Sequence, residues 1–312
     1  MENFTRDGFN FQRWRAGAST FTASMERGAR LMRWDIELPA GRREVLFWPE
    51  DDPANGPGAS ADAFAAIPGG NPILFPFMGR NYAAGEKFRW RDPDGAVRPM
   101  PQHGWARQGR FEITDAGDAS VCALFRPDAA ARAGYDYDCE FRVRYRFHEL
   151  RVECDLELTN RDARPIPWCA GHHFYFRLPW HDGLTRADYT LEIPAKKAWR
   201  HAADGKLVAF RAPEPPRDFA NPELSDVIFT RLTSNTLSFG PRGGEENITM
   251  RVGEEPVPDA WTAVVVWTRA PESPFYCVEP WMGPPNSPEH GNGLRWVAPG
   301  ASETFTVSVS LE

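Results

Sequence analysis

Along most of this chain apolar and polar residues alternate one by one. The run Cys139-Glu-Phe141-Arg-Val143-Arg-Tyr145-Arg-Phe147 is followed by Leu150-Arg-Val152-Glu-Cys154-Asp-Leu156-Glu-Leu158. Successive side chains of a strand point to opposite faces, so this alternation predicts two strands that each bury one face. A two-residue turn at His148-Glu149 would join them as a hairpin. Phe147 would then face Leu150, Tyr145 would face Val152 and Val143 would face Cys154. The opposite face would set Arg144 against Glu153 and Arg142 against Asp155, so that apolar meets apolar and cation meets anion. His-Glu is not a favoured pair for so tight a turn, which leaves room for a longer loop. Comparable strands are expected at residues 34–38, 189–193, 261–268 and 304–311, and a single short helical turn at 61–67. No amphipathic helix pattern is evident elsewhere.

Twenty-nine prolines and 26 glycines are spread through the 312 residues and punctuate many short strands. Punctuated strands without helices predict an all-β fold, a large β-sandwich or barrel. The proline-rich stretch 213–222 is the best candidate boundary. Strand patterning of similar composition continues on both sides of it, so we expect one domain over 1–312 with a long surface loop there. Hydrophobic residues make up 42% of the chain, enough for a sizeable core. Most of the twelve Trp and 21 Phe are expected in that core, and aromatic faces also suit the C–H faces of a sugar ring.

The formal net charge of −7 argues against a nucleic-acid partner, since general binders carry basic surfaces. The arginines of 142–151 alternate with apolar residues and read as one solvated strand face. The polar first fifteen residues lack the apolar core of a signal peptide, and no apolar run is long enough for a transmembrane helix. Five cysteines at 122, 139, 154, 169 and 277 show no metal-type spacing, and their odd number suits reduced thiols in a cytoplasm.

Four segments concentrate reactive side chains: Pro76-Phe-Met-Gly-Arg80-Asn81, Gln102-His103-Gly-Trp-Ala-Arg107, Gly171-His172-His173-Phe-Tyr175-Phe176 and Cys277-Val-Glu279-Pro280-Trp281-Met-Gly283. Strand parity puts His172 with Phe174 and Phe176 on a core face, and His173 with Tyr175 and Arg177 on the other. His173 is therefore the chemical candidate. Glu279 shares a face with Phe275, Cys277 and Trp281, an aromatic setting that would desolvate the carboxylate and raise its pKa. Pro280 restricts Glu279 to extended backbone. His103 and Arg107 lie in a Gly-containing loop suited to donating hydrogen bonds to hydroxyls.

Taken in order, these segments resemble the aldose 1-epimerase (galactose mutarotase) superfamily. "LFPFMGR" is similar to the family's FP-x-x-GR element, "HGWAR" to HG-x-x-R, "HHFYFRL" to the H-x-YF-N-L strand and "YCVEPWMG" to EPW-x-G. The resemblance runs from about residue 72 to the C-terminus. It implies a large β-sandwich, a small-molecule sugar substrate, His173 as general acid and Glu279 as general base, with no metal or other cofactor. His103 and Arg107 would bind the sugar. The family's second arginine, in GR-x-x-NR, is absent here, so Arg80 stands in for it. The family's substrate aspartate is matched most nearly by Asp226. Anomerisation needs one proton removed from the C1 hydroxyl and one delivered to the ring oxygen, which a Glu–His pair can do near neutrality. Alternatives from the same residues are a non-catalytic sugar-binding or regulatory protein, a hexose-6-phosphate 1-epimerase, and a metal-dependent β-barrel enzyme using His103, His172, His173 and Glu279. Strand parity weakens the last.

Overall fold

A computed structural model describes every residue except Asp7, Ala40, Pro57 and Glu245. Its backbone is dominated by antiparallel strands, with three short α-helices among the described residues. A thirteen-stranded sheet runs from Glu2–Arg6 through Phe9–Ala16, Ser19–Ser24, Arg30–Leu38 and Gly41–Leu46. It continues through Phe174–Arg177, Phe275–Trp281, Ala263–Trp267, Val227–Leu232 and Ala195–His201 to Leu207–Phe210, and the short strands Ile73–Leu74 and Gly171–His172 join it off this path. A nine-stranded sheet begins at Arg110–Ala116 and contains the predicted hairpin, the closing strand Ser302–Leu311 and Tyr189–Glu192.

The inner faces of the two sheets share one core. Trp14 and Phe21 of the larger sheet each meet Phe147 of the smaller at 4.7 Å, and Phe176 meets Phe239 edge-on at 4.8 Å. The expected all-β sandwich is the observed architecture. The helical turn expected at 61–67 is Ala61–Ala66, capped by Ser60, whose side chain accepts from the Ala63 amide. No helix among the described residues is long and apolar enough to cross a membrane.

Two expectations need correcting. The hairpin pairs Phe147 with Val152, Tyr145 with Cys154 and Val143 with Leu156, so the turn is Glu149-Leu150, not His148-Glu149. The slip is two residues, which keeps the paired side chains on their predicted faces and moves Leu150 from the inner face into the turn. The charges re-pair accordingly: Arg146 bonds both Glu153 (2.7 Å) and Asp155 (2.6 Å). The stretch 213–222 is not only a loop. It carries the strand Arg217–Asp218, which pairs with Tyr189–Glu192, and Arg217 is anchored by the Pro213 carbonyl at 2.9 Å.

Candidate active site

The site grows from the pairing of Phe174–Arg177 with Phe275–Trp281. Gly171 lies opposite Trp281 and Phe174 opposite Val278, so the intervening register sets His172 against Pro280 and His173 against Glu279. The Met282 amide bonds the Ala170 carbonyl (2.9 Å), which makes the alternate pair His172/Pro280 a hydrogen-bonding position. Proline has no N–H to give there. The Trp281 indole donates to the His172 carbonyl instead, at 3.1 Å. His173 and Glu279 then occupy the neighbouring non-hydrogen-bonded position, where facing side chains come closest. His173 Nε2 lies 3.4 Å from Glu279 Oε2. Parity is as expected: His172 stacks on Phe174 in the inter-sheet core, while His173 stacks on Tyr175 at 4.7 Å on the outer face.

Both groups are nearly closed off from solvent, His173 at 7% and Glu279 at 1% exposure. Burial, reinforced by the charge of Asp226, raises the Glu279 carboxyl well above its ordinary pKa. Burial, with the charges of Arg107 and Arg30, lowers His173 to about 3. Both shifts favour the neutral forms of the two groups. His173 Nδ1 and Glu279 Oε2 have no hydrogen-bond partner among the described residues, an uncommon condition for buried polar atoms.

His103 closes one side of the pair, its ring 5.3 Å from that of His173. It is fixed reciprocally to Gly79: the His103 amide donates to the Gly79 carbonyl (2.8 Å), and the Gly79 amide donates to His103 Nδ1 (3.2 Å). That leaves the ring proton on Nε2 in the neutral form, which burial, His173, Arg107 and Arg80 all favour. The two loops can meet because Gly104, at φ +77°, approaches so closely that a Cβ would lie 2.0 Å from the Phe75 carbonyl oxygen.

The remaining expected residues lie around this centre. Arg107 is half-buried, its Nε without a hydrogen-bond partner among the described residues, and its charge acts on His103 and His173. Arg80 is exposed, and its charge acts on His103 and Asp226. Asp226, at φ +59°, precedes Val227–Leu232, and burial raises its pKa. His172, by contrast, lies behind the sheet.

Sequence reasoning missed several neighbours. Arg30 is fully buried and holds the carbonyls of Phe64 (3.0 Å), Ile67 (2.5 Å) and Gly69 (3.1 Å). Asn71 reaches both histidines, and its only sequence signal is the turn-like Gly69-Gly70-Asn71-Pro72. Trp267 joins Cys277, already expected on the Glu279 face, and stands edge-on to His173 at 6.0 Å. His173, Cys277 and Glu279 bring three donor atoms within 4.8 Å of one another, a zinc-type set in composition. A dication there would have to strip a thiol whose pKa burial raises well above normal. It would also face the two guanidiniums that act on His173.

Comparison with known proteins agrees with this architecture. The family model described as aldose 1-epimerase matches residues 15–239, which includes His103, His173 and Asp226 but not Glu279. The chain is 24% identical over 236 residues to protein LacX (chromosomal) of Lactococcus lactis subsp. lactis, covering 72% of this chain and 77% of that protein. Its fold is similar to that of a galactose mutarotase related enzyme from Lactobacillus acidophilus, with a TM-score of 0.77, 19% identity and 97% of each chain covered. It is also similar to a galactose mutarotase-like protein from Clostridium acetobutylicum, with a TM-score of 0.78, 14% identity and 100% and 98% covered.

Proposed function

The chain belongs to the aldose 1-epimerase family, and on that premise we propose that it interconverts the α and β anomers of a hexose or related aldose by acid–base ring opening. The observation that carries this reading is the directly opposed pair, His173 Nε2 3.4 Å from Glu279 Oε2 on a buried face. O1 and O5 of a pyranose are bonded to the same carbon, so two adjacent proton-transfer groups suit them. Glu279 takes the O1 proton as the C1–O5 bond breaks, and His173 delivers a proton to O5. Rotation about C1–C2 turns the aldehyde over. On closure His173 recovers the O5 proton while Glu279 returns one to O1. Burial favours the neutral pair, and one proton hop from Glu279 to His173 gives the charged pair that starts this cycle. Sugar hydroxyls provide the polar surroundings that favour the hop. His103, Arg107 and Arg80 supply donors to the sugar, and Asp226 an acceptor.

Polarimetry of freshly dissolved α-D-glucose and α-D-galactose, with a hexose 6-phosphate alongside, tests the proposal. Faster equilibration than in buffer is expected, and His173→Asn and Glu279→Gln should each lower the rate by about 10²–10⁴-fold. No acceleration with any of the three sugars overturns the activity, and wild-type rates in both variants overturn the residue roles. Saturable sugar binding without anomerisation would mark a non-catalytic sugar-binding protein.

A further inference from the structure

We propose that Asn71 and His172 form a buried clamp that positions His173, with His172 serving to aim the Asn71 carboxamide. This rests on the acid–base reading above only for what the clamp is for; the clamp itself is read from hydrogen bonds.

The need for it follows from the register. Opposite Glu279, the His173 amide points away from Phe275–Trp281, toward a neighbouring strand that is only two residues long, Ile73–Leu74. The amide finds Asn71 Oδ1 at 3.1 Å and the Pro72 carbonyl at 3.2 Å. Asn71 is itself fully buried, and its own amide donates to the Leu31 carbonyl at 2.7 Å. Its side-chain nitrogen lies 3.1 Å from His172 Nδ1.

The orientation is fixed without ambiguity. A backbone N–H can only donate, so the atom facing His173 must be the amide oxygen. The atom facing His172 is then the NH₂, which makes Nδ1 an acceptor and puts the ring proton of His172 on Nε2. That Nε2–H has no partner among the described residues, and the ring is stacked by Phe174 at 5.4 Å and Phe305 at 6.4 Å. An apolar ring would suit such a niche better, because a buried unpaired donor is costly. What an apolar ring could not do is accept from Asn71. Loss of the acceptor would leave the Asn71 side chain held on that side by Tyr145 alone, loosening the carboxamide and with it one of the two bonds, beside that to the Pro72 carbonyl, that set the His173 backbone opposite Glu279.

The test compares His172→Phe, which keeps the stacking, with His172→Gln, which restores an acceptor. In the wild-type protein, ¹⁵N NMR should show His172 neutral and protonated at Nε2, and the His173 amide should exchange slowly with solvent. His172→Phe should speed that exchange and lower kcat about 10- to 100-fold with little change in KM or thermal stability. His172→Gln should recover most of kcat. Protonation of His172 at Nδ1, unchanged His173 exchange in His172→Phe, or a fall in kcat only in step with lost stability overturns the clamp. If the wild-type protein accelerates no anomerisation, the proposed activity fails, and the tautomer and exchange measurements still decide the clamp.

Discussion

At the scale of single residues, this site is an exercise in keeping opposite groups neutral. Glu279 is pushed up by burial and then by Asp226, while His173 is pushed down by burial and then by Arg107. The reactive form is the pair with one proton, so the titrations belong to the pair. On the acid side activity ends when His173 takes a second proton; on the alkaline side it ends when Glu279 loses the shared one. Asp226→Asn removes a negative neighbour and should shift the alkaline limb of kcat/KM to lower pH. Arg107→Met removes a positive neighbour and should shift the acid limb to higher pH. Each variant narrows the profile from one side, and a limb moving the other way would show that these charges do not act on the pair.

Individual elements show how far the sequence reaches. Alternation is a two-residue signal, so it located the strands and sorted their faces, including His172 from His173. It could not distinguish registers two residues apart, because these bury the same side chains. The hairpin shows the consequence. Leu150, expected inside opposite Phe147, is 44% exposed in the turn, whereas Leu156 is wholly buried between Val143 and Phe305. Leu156→Ala should cost about 2–5 kcal/mol in urea denaturation, and Leu150→Ala no more than about 0.5 kcal/mol. A large loss at Leu150 would restore the first register. The same limit applies at the site. Parity and motif order could select His173 and Glu279, but nothing local in either strand sets them directly across from one another. That depends on a pairing between segments a hundred residues apart, with the Trp281 indole standing in for the amide that Pro280 lacks. Arg30 and Asn71 were illegible for a related reason: their partners are backbone carbonyls, amides and a histidine ring brought together only by the fold.

For the molecule as a whole, placing the proposed chemistry on a covered face of a large sheet makes stability depend on pH in a particular direction. His172 and His173 are lowered to about 3, His201 to about 4 and His103 well below its ordinary value, in every case first by burial. In the unfolded chain each returns to about 6.5. Between these limits the unfolded state binds more protons, so stability must rise with pH and be lost as pH falls below about 6.5. Glu279 runs the other way: its raised pKa means the folded state holds the extra proton above the ordinary carboxyl value, so it cancels the share of one histidine. A net uptake on unfolding remains, and each proton is worth about 1.4 kcal/mol per pH unit. Urea titrations from about pH 5 to about pH 7 should therefore show unfolding free energy climbing steeply and levelling off near neutrality. His172→Phe carries no titrating group at that position, so its slope should be smaller by one proton. Its stability relative to wild type should improve as the solution is made more acidic. A flat profile in the wild-type protein, or identical slopes in the two, would mean that these histidines are not held neutral inside the folded sandwich.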